Sequence, residues 1–138
     1  MIKTHNKIHG IGVDIVEIKR MQEALDRHGD KFAMKILSAS EQEKYFQQAN
    51  KAQYLAKCWA VKEAFVKALG IGFKGNFTWG NITYFSPTGS YGLKHPQVRV
   101  SNEIANEQII KDKIIHLSVS DEKSIVIAYV VIEDKLKS

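Results

Sequence analysis

The chain has a single cysteine, Cys58, so it cannot close an internal disulfide, and a lone thiol fits a reducing compartment. No apolar run approaches the roughly 20 residues that a membrane span requires. The first seven residues, MIKTHNK, are polar and lack the apolar stretch of a secretory leader. A cytoplasmic protein with no membrane partner is therefore expected. Internal repeats, low-complexity tracts and long linkers are also missing, so the 138 residues are expected to form one domain spanning 1–138.

Acidic residues are in deficit, with 15 Asp and Glu against 20 Lys and Arg, a formal net charge of +5. A basic chain is drawn to something anionic: nucleic acid, a phosphate-rich cofactor or an acidic protein. A solubility excess of lysine is the plainer explanation, and charge alone does not choose between them. Hydrophobic residues at 44% and charged residues at 25% are ordinary for a globular protein with a real core.

What is present is an alternation of strand and helix signals. Residues 9–18 alternate with period two, Ile11, Val13 and Ile15 on one face and Gly12, Asp14 and Val16 on the other, which predicts a strand. Residues 19–28 have helical spacing and stop at Gly29. A short helix is expected at 30–37, and Ser40 with Glu43 has the capping-box spacing for a helix running to about 48. A long helix follows over 51–69, closed by Gly70 and a glycine-rich loop to Gly80. Strands are expected near 81–85, 97–100, 114–120 and 124–133, with a helix near 102–111. The last strand, SIVIAYVVIE, is nearly continuously apolar and is expected to be central and buried. The class expected is α+β, an antiparallel sheet packed on a long central helix.

Two acids stand out. Asp14 lies in the middle of an apolar strand, and Glu63 lies on an apolar helix, in line with Leu55, Trp59 and Lys67 at i,i+4 spacing. A carboxylate near a buried surface requires a partner, a proton or a metal. Two carboxylates converging from a strand and a helix suit Mg²⁺, which binds through one or two carboxylates plus substrate phosphates. Lys62 and Lys67 could hold phosphate oxygens, and Gly70, Ile71 and Gly72 could offer backbone N–H groups to a phosphate. The plainer alternatives are that Asp14 caps the helix beginning near Lys19, that Glu63 and Lys67 form a surface ion pair, and that Gly70 is only a helix cap. Cys58 reads most simply as a small buried apolar residue, and metal binding by His5 and His9 is not expected.

Three segments in this order, GVDIVEIKRM (12–21), LAKCWAVKEAFVKALGIG (55–72) and HLSVSDEKSIVIAYVVIE (116–133), resemble the holo-[acyl-carrier-protein] synthase family, the short bacterial 4′-phosphopantetheinyl transferases. The resemblance implies transfer of the phosphopantetheine arm of coenzyme A to a serine of apo acyl carrier protein, with release of adenosine 3′,5′-bisphosphate, in fatty acid biosynthesis. It implies Asp14 and Glu63 as Mg²⁺ ligands. Glu63, or a metal-bound water that it orients, would take the serine proton. Lys67 would act on the leaving phosphate, and Lys62 with Gly70 and Gly72 would hold the nucleotide. Arg20 and Arg27, on the basic helix after the first segment, would dock the acidic carrier, and the family implies a homotrimer with sites between subunits. The chain departs from the family pattern at Cys58-Trp59 (often Arg-Phe), at Asp121 (often His) and in the spacing of Gly92–Pro96, which bears on nucleotide contacts rather than on the reaction.

Two other classes are weighed. A metal-dependent nuclease usually places its acid-x-lysine on a strand, whereas Glu63 and Lys67 are four apart on a helix. A nucleic-acid-binding module would cluster its basic residues among exposed aromatics, and the lysines here are scattered.

Overall fold

A computed structural model describes residue 5 and residues 7–136; the run 1–4, on which the reading of the N-terminus partly rests, lies outside the described residues. The elements are β1 (Lys7–Glu17), α1 (Ile18–His28), α2 (Asp30–Ile36), α3 (Ala39–Phe46), α4 (Lys51–Leu69), β2 (Ile82–Phe85), β3 (Gln97–Val100), α5 (Asn102–Ala105), β4 (Lys113–Asp121) and β5 (Ile125–Asp134). A single 3-10 turn, Trp79–Asn81, precedes β2. β1, β5 and β4 form an antiparallel sheet in that order, and β2 pairs antiparallel with β3. The class is α+β.

α4 is the central element, because its small and apolar residues let other elements approach on several sides. Ala56, Ala60, Ala64, Val61 and Phe65 have no exposed surface. β1 crosses α4 at its glycines. A Cβ on Gly12 would stand 2.0 Å from the Ala64 carbonyl oxygen, and one on Gly10 would stand 2.0 Å from that of Ala68. No other residue type allows backbone to lie on backbone this closely. That contact sets Asp14, two residues on and on the same face, against the helix.

β5 is central, as its sequence suggests, but it is buried on one face only. Val126, Ala128, Val130 and Ile132 are fully buried toward α4, and burying each of the larger ones stabilises by about 1.5–3 kcal/mol. Ile127 and Tyr129 face outward and are exposed. An antiparallel sheet covered by a helix on one side leaves its other side open. The outer face therefore carries Ile11, Val13 and Ile15 at 59%, 52% and 60% exposure.

Two boundaries move. The capping box of α3 is Ser38 with Glu41, not Ser40 with Glu43: the Ser38 amide donates to Glu41 Oε1 at 2.8 Å. Glu41 is chosen because its carboxylate also has buried work elsewhere. The helix expected over 102–111 ends at Ala105 and continues as turns. Its buried anchors, Ile104 and Ile110, are six apart, a spacing that one continuous helix would place on different faces.

Candidate active site

Asp14 sits in β1 opposite Ala128 of β5, its side chain turned toward α4 and only 16% exposed. The Lys67 ammonium reaches across from α4, donating to the Val13 carbonyl at 3.0 Å and to Asp14 Oδ1 at 3.4 Å. Asp14 Oδ2 is buried and accepts no hydrogen bond. Burial raises the Asp14 carboxyl above its ordinary value, with Lys67 pulling the other way. Glu63 is raised as well, first by burial and then by the negative charge of Asp14. The two acids therefore feel each other across the β1–α4 contact, in a place too dry to let both ionise cheaply.

An orphaned buried carboxylate oxygen, together with a second carboxylate that feels its charge, is a donor set that fits a divalent cation. Among the described residues no group of three or more His, Cys, Asp and Glu side chains could hold a metal. Two carboxylates with room for substrate oxygens match the habits of Mg²⁺ rather than a closed all-protein cage. Two of the three simpler alternatives, those for Asp14 and Glu63, fail on geometry. Asp14 caps no helix, since α1 begins at Ile18 with Glu17 as its N-cap residue. The salt bridge of Lys67 is with Asp14 and not with Glu63.

Lys62 requires correction. It is completely buried, and its ammonium donates to Glu41 Oε1 at 2.6 Å, the Ile36 carbonyl at 2.6 Å and the Trp79 carbonyl at 2.9 Å. Glu41 Oε2 in turn accepts the Tyr84 amide at 2.7 Å. Lys62 is thus the hub that ties α2, α3, the Trp79 turn and α4 together. An ammonium with all three donors used inside the core cannot reach a nucleotide phosphate. The sequence signal for this was the pairing of a buried lysine with an acid elsewhere, which one-dimensional spacing does not reveal.

The glycine loop is corrected too. Gly70 and Gly72 take left-handed backbone at φ 80° and 66°. Their amides and that of Ile71 turn back onto the helix, all three reaching the Val66 carbonyl and Gly70 also that of Lys67. These N–H groups satisfy the orphan carbonyls at the end of α4 and leave no amide cradle facing a phosphate.

Arg20 and Arg27 are exposed on α1. Arg20 is close enough to lower the Asp14 carboxyl slightly, so the basic helix adjoins the acid pair. The basic surface runs further than the sequence suggested, into a groove lined by Arg27, His28, Lys31, Phe32 and Lys35. A second feature missed in sequence is a cleft of about 360 Å³ lined by Lys44, Lys57 and Lys94 with Tyr54, Tyr84 and Asp121. Lys57 lies about 120° round α4 from Glu63, and Asp121 closes β4, the sheet edge opposite β1. Asp121 is held by Lys57 at 3.7 Å and by the Gln53 amide. Cys58 is fully buried, which pushes its thiol up.

Residues 10–130 match the model of the 4′-phosphopantetheinyl transferase superfamily. The holo-[acyl-carrier-protein] synthase of Aromatoleum aromaticum is 38% identical over 128 residues, covering 93% of this chain and 99% of the relative. The crystal structure of the Neisseria meningitidis holo-[acyl-carrier-protein] synthase superposes with a TM-score of 0.78 at 36% identity, over 91% of this chain and 98% of that one. The Helicobacter pylori synthase, solved in complex with coenzyme A, superposes with a TM-score of 0.71 at 29% identity, over 88% of this chain and 98% of that one. With matches along nearly its whole length in sequence and in fold, this chain belongs to the 4′-phosphopantetheinyl transferase superfamily.

Proposed function

We propose that the protein is a Mg²⁺-dependent holo-[acyl-carrier-protein] synthase, acting in the cytoplasm and serving fatty acid biosynthesis. The observation that carries this reading is the orphaned Asp14 Oδ2 beside Glu63, with the Lys67 ammonium at the other oxygen. The serine oxygen of apo acyl carrier protein bonds to the β-phosphorus of coenzyme A. The bond from that phosphorus to the bridging oxygen breaks, and adenosine 3′,5′-bisphosphate leaves with the oxygen. Glu63, or a water it holds, takes the serine proton. Lys67, half exposed at 52% and on a flexible stem, places its charge on the leaving phosphate. Asp14 and Glu63 would hold Mg²⁺, whose charge when bound offsets that of the pyrophosphate oxygens.

With Lys62 and the glycine amides committed inside the fold, the remaining nucleotide charge falls to the cleft of Lys44, Lys57 and Lys94. That cleft lies by the β4 edge of the sheet and the acid pair by the β1 edge, and in a homotrimer one coenzyme would be shared between the acid pair of one copy and the lysine cleft of the next. The exposed apolar row Ile11, Val13 and Ile15 supports such an assembly, the homotrimer that the family implies. Arg20 and Arg27 would receive the acidic carrier. No helix among the described residues is long and apolar enough to cross a membrane.

The test is intact-mass spectrometry of apo acyl carrier protein after incubation with the protein, coenzyme A and Mg²⁺. The carrier is expected to gain one phosphopantetheine, and to gain none when the metal is chelated. An unmodified carrier under the complete conditions would overturn the reading.

A further inference from the structure

One side of the β1–β5–β4 sheet packs on α4, and alternate strand positions point out of the other side. β1 and β5 place Ile8, Ile11, Val13, Ile15, Ile127 and Tyr129 there, at 63%, 59%, 52%, 60%, 36% and 43% exposure. The chain is basic overall, yet among the described residues no outward position of these strands holds Lys or Arg. The charged or titratable groups that point outward are Glu17 at the end of β1, Tyr129 and Glu133 on β5, and His116 on β4. Two of these meet across the strands. His116 Nε2 lies 2.5 Å from Glu133 Oε1, with the side chains 53% and 27% exposed.

The other charges nearby are engaged on the opposite side of the sheet or beyond its edge. Asp134 turns toward the α4 side, where Lys113 holds it at 2.8 Å and His9 lies at 3.6 Å, and Lys7 is its strand partner. Lys57 of α4 pairs with Asp121 at the end of β4. Arg99 of β3, which lies beside β4, donates to the Ser40 hydroxyl at 3.2 Å. Ile8 and Ile114, the strand partners of Glu133, carry no charge. An imidazole changes charge between about pH 5 and 8. Across that range the His116–Glu133 pair passes from neutral in sum to net negative.

We propose that the His116–Glu133 pair is a proton-controlled contact in the surface by which copies of this chain join, so that assembly tightens as pH falls; this rests on the homotrimer reading above. In a separate copy both groups are wet, and an exposed pair contributes little. An interface that covers the apolar row also withdraws the pair beside it from water. The protonated pair enters that interface neutral in sum and hydrogen-bonded. With His116 neutral, Glu133 brings a full negative charge, and the face holds no Lys or Arg to meet it. Joining therefore takes up protons, and by linkage a supply of protons favours joining. Asp14 and Glu63 lie on the α4 side of the sheet and take no part.

Sedimentation of the full chain from pH 6 to 8, at fixed ionic strength and without metal or coenzyme, is run across a dilution series. It reads the concentration at which half the trimer dissociates. That concentration is expected to be about tenfold lower at pH 6 than at pH 8, as when assembly strengthens each copy's hold on one proton tenfold. His116→Gln leaves Glu133 charged throughout, and a weaker trimer with no slope is expected. Glu133→Gln is expected to invert the slope, because the imidazolium then has no counter-charge. His9→Gln, on the other side of the sheet, is expected to keep the wild-type slope.

Equal trimer stability at pH 6 and pH 8, or a looser trimer at pH 6, would overturn the proposal while leaving the homotrimer in place. A wild-type slope retained in His116→Gln would overturn it too, by assigning the protons to another group. The wild-type series carries the test by itself should a variant not fold. A monomer at every pH would remove the homotrimer reading and this proposal with it, with the transferase reading still judged by the mass gain of the carrier.

Discussion

Burial lifts the carboxyls of Asp14 and Glu63 above their ordinary values of 3.8 and 4.5, and the Lys67 ammonium does not fully offset it. A group whose native pKa exceeds its unfolded one holds its proton more readily when folded. Stability is then greatest below the ordinary carboxylate range and declines as pH rises through and beyond it. Asp14→Asn and Glu63→Gln remove the group that declines. Each is expected to raise the thermal midpoint of the metal-free protein at neutral pH, on the order of a few degrees, with the gain vanishing in acid. Mg²⁺ is expected to raise the wild-type midpoint and to leave both variants unmoved. Variants less stable than wild type at neutral pH would mean that the Asp14–Lys67 pair outweighs burial. Lys67→Met makes a separate claim: kcat is expected to fall by about 10²–10³-fold with coenzyme A affinity changed far less. Unchanged kcat would reduce Lys67 to an exposed partner of Asp14.

At the scale of elements, the β1–α4 crossing is what assembles the site, and it depends on glycine. Gly12→Ala drives a Cβ onto the Ala64 carbonyl, so destabilisation of at least about 3 kcal/mol is expected by urea unfolding, with loss of the acid pair's geometry. Lys62→Met strands Glu41 in the core and is expected to lower stability by about 3–5 kcal/mol while leaving the coenzyme A affinity of the folded fraction unchanged. Weakened coenzyme binding at unchanged stability would restore Lys62 to the nucleotide site. These two positions mark how far the sequence was legible. Strand alternation around Asp14 and the i,i+4 line through Trp59, Glu63 and Lys67 are local periodicities, and both survive in the structure. The partner of Lys62 is Glu41, 21 residues away and in another helix, and no local period encodes it. The amides of Gly70 to Gly72 looked available because a helix cap and a phosphate loop are spelled with the same residues. The cleft of Lys44, Lys57 and Lys94 was invisible because its members come from three separate segments.

At the scale of the whole molecule, the sheet's outer face and the basic helix are the two surfaces that reach beyond one copy. Ile11→Glu with Val13→Glu sets charges in the exposed apolar row. Sedimentation is expected to shift from trimer to monomer, with activity falling because the acid pair and the lysine cleft part company. A wild-type protein that sediments as a monomer would contradict the shared site. Arg20→Glu with Arg27→Glu is expected to raise KM for the carrier well above any change for coenzyme A, and added salt to slow the wild type, since exposed charges are screened beyond about 10 Å at 0.1 M. The central claim is that the carboxylates joined by the β1–α4 contact perform the transfer, and the most direct measurement is the rate of phosphopantetheine gain by apo carrier with Asp14→Asn, followed by intact mass. The result expected is a rate lower by at least about 10²–10³-fold, in a protein whose thermal midpoint at neutral pH equals or exceeds that of wild type. A rate within a few-fold of wild type in that folded variant would contradict it.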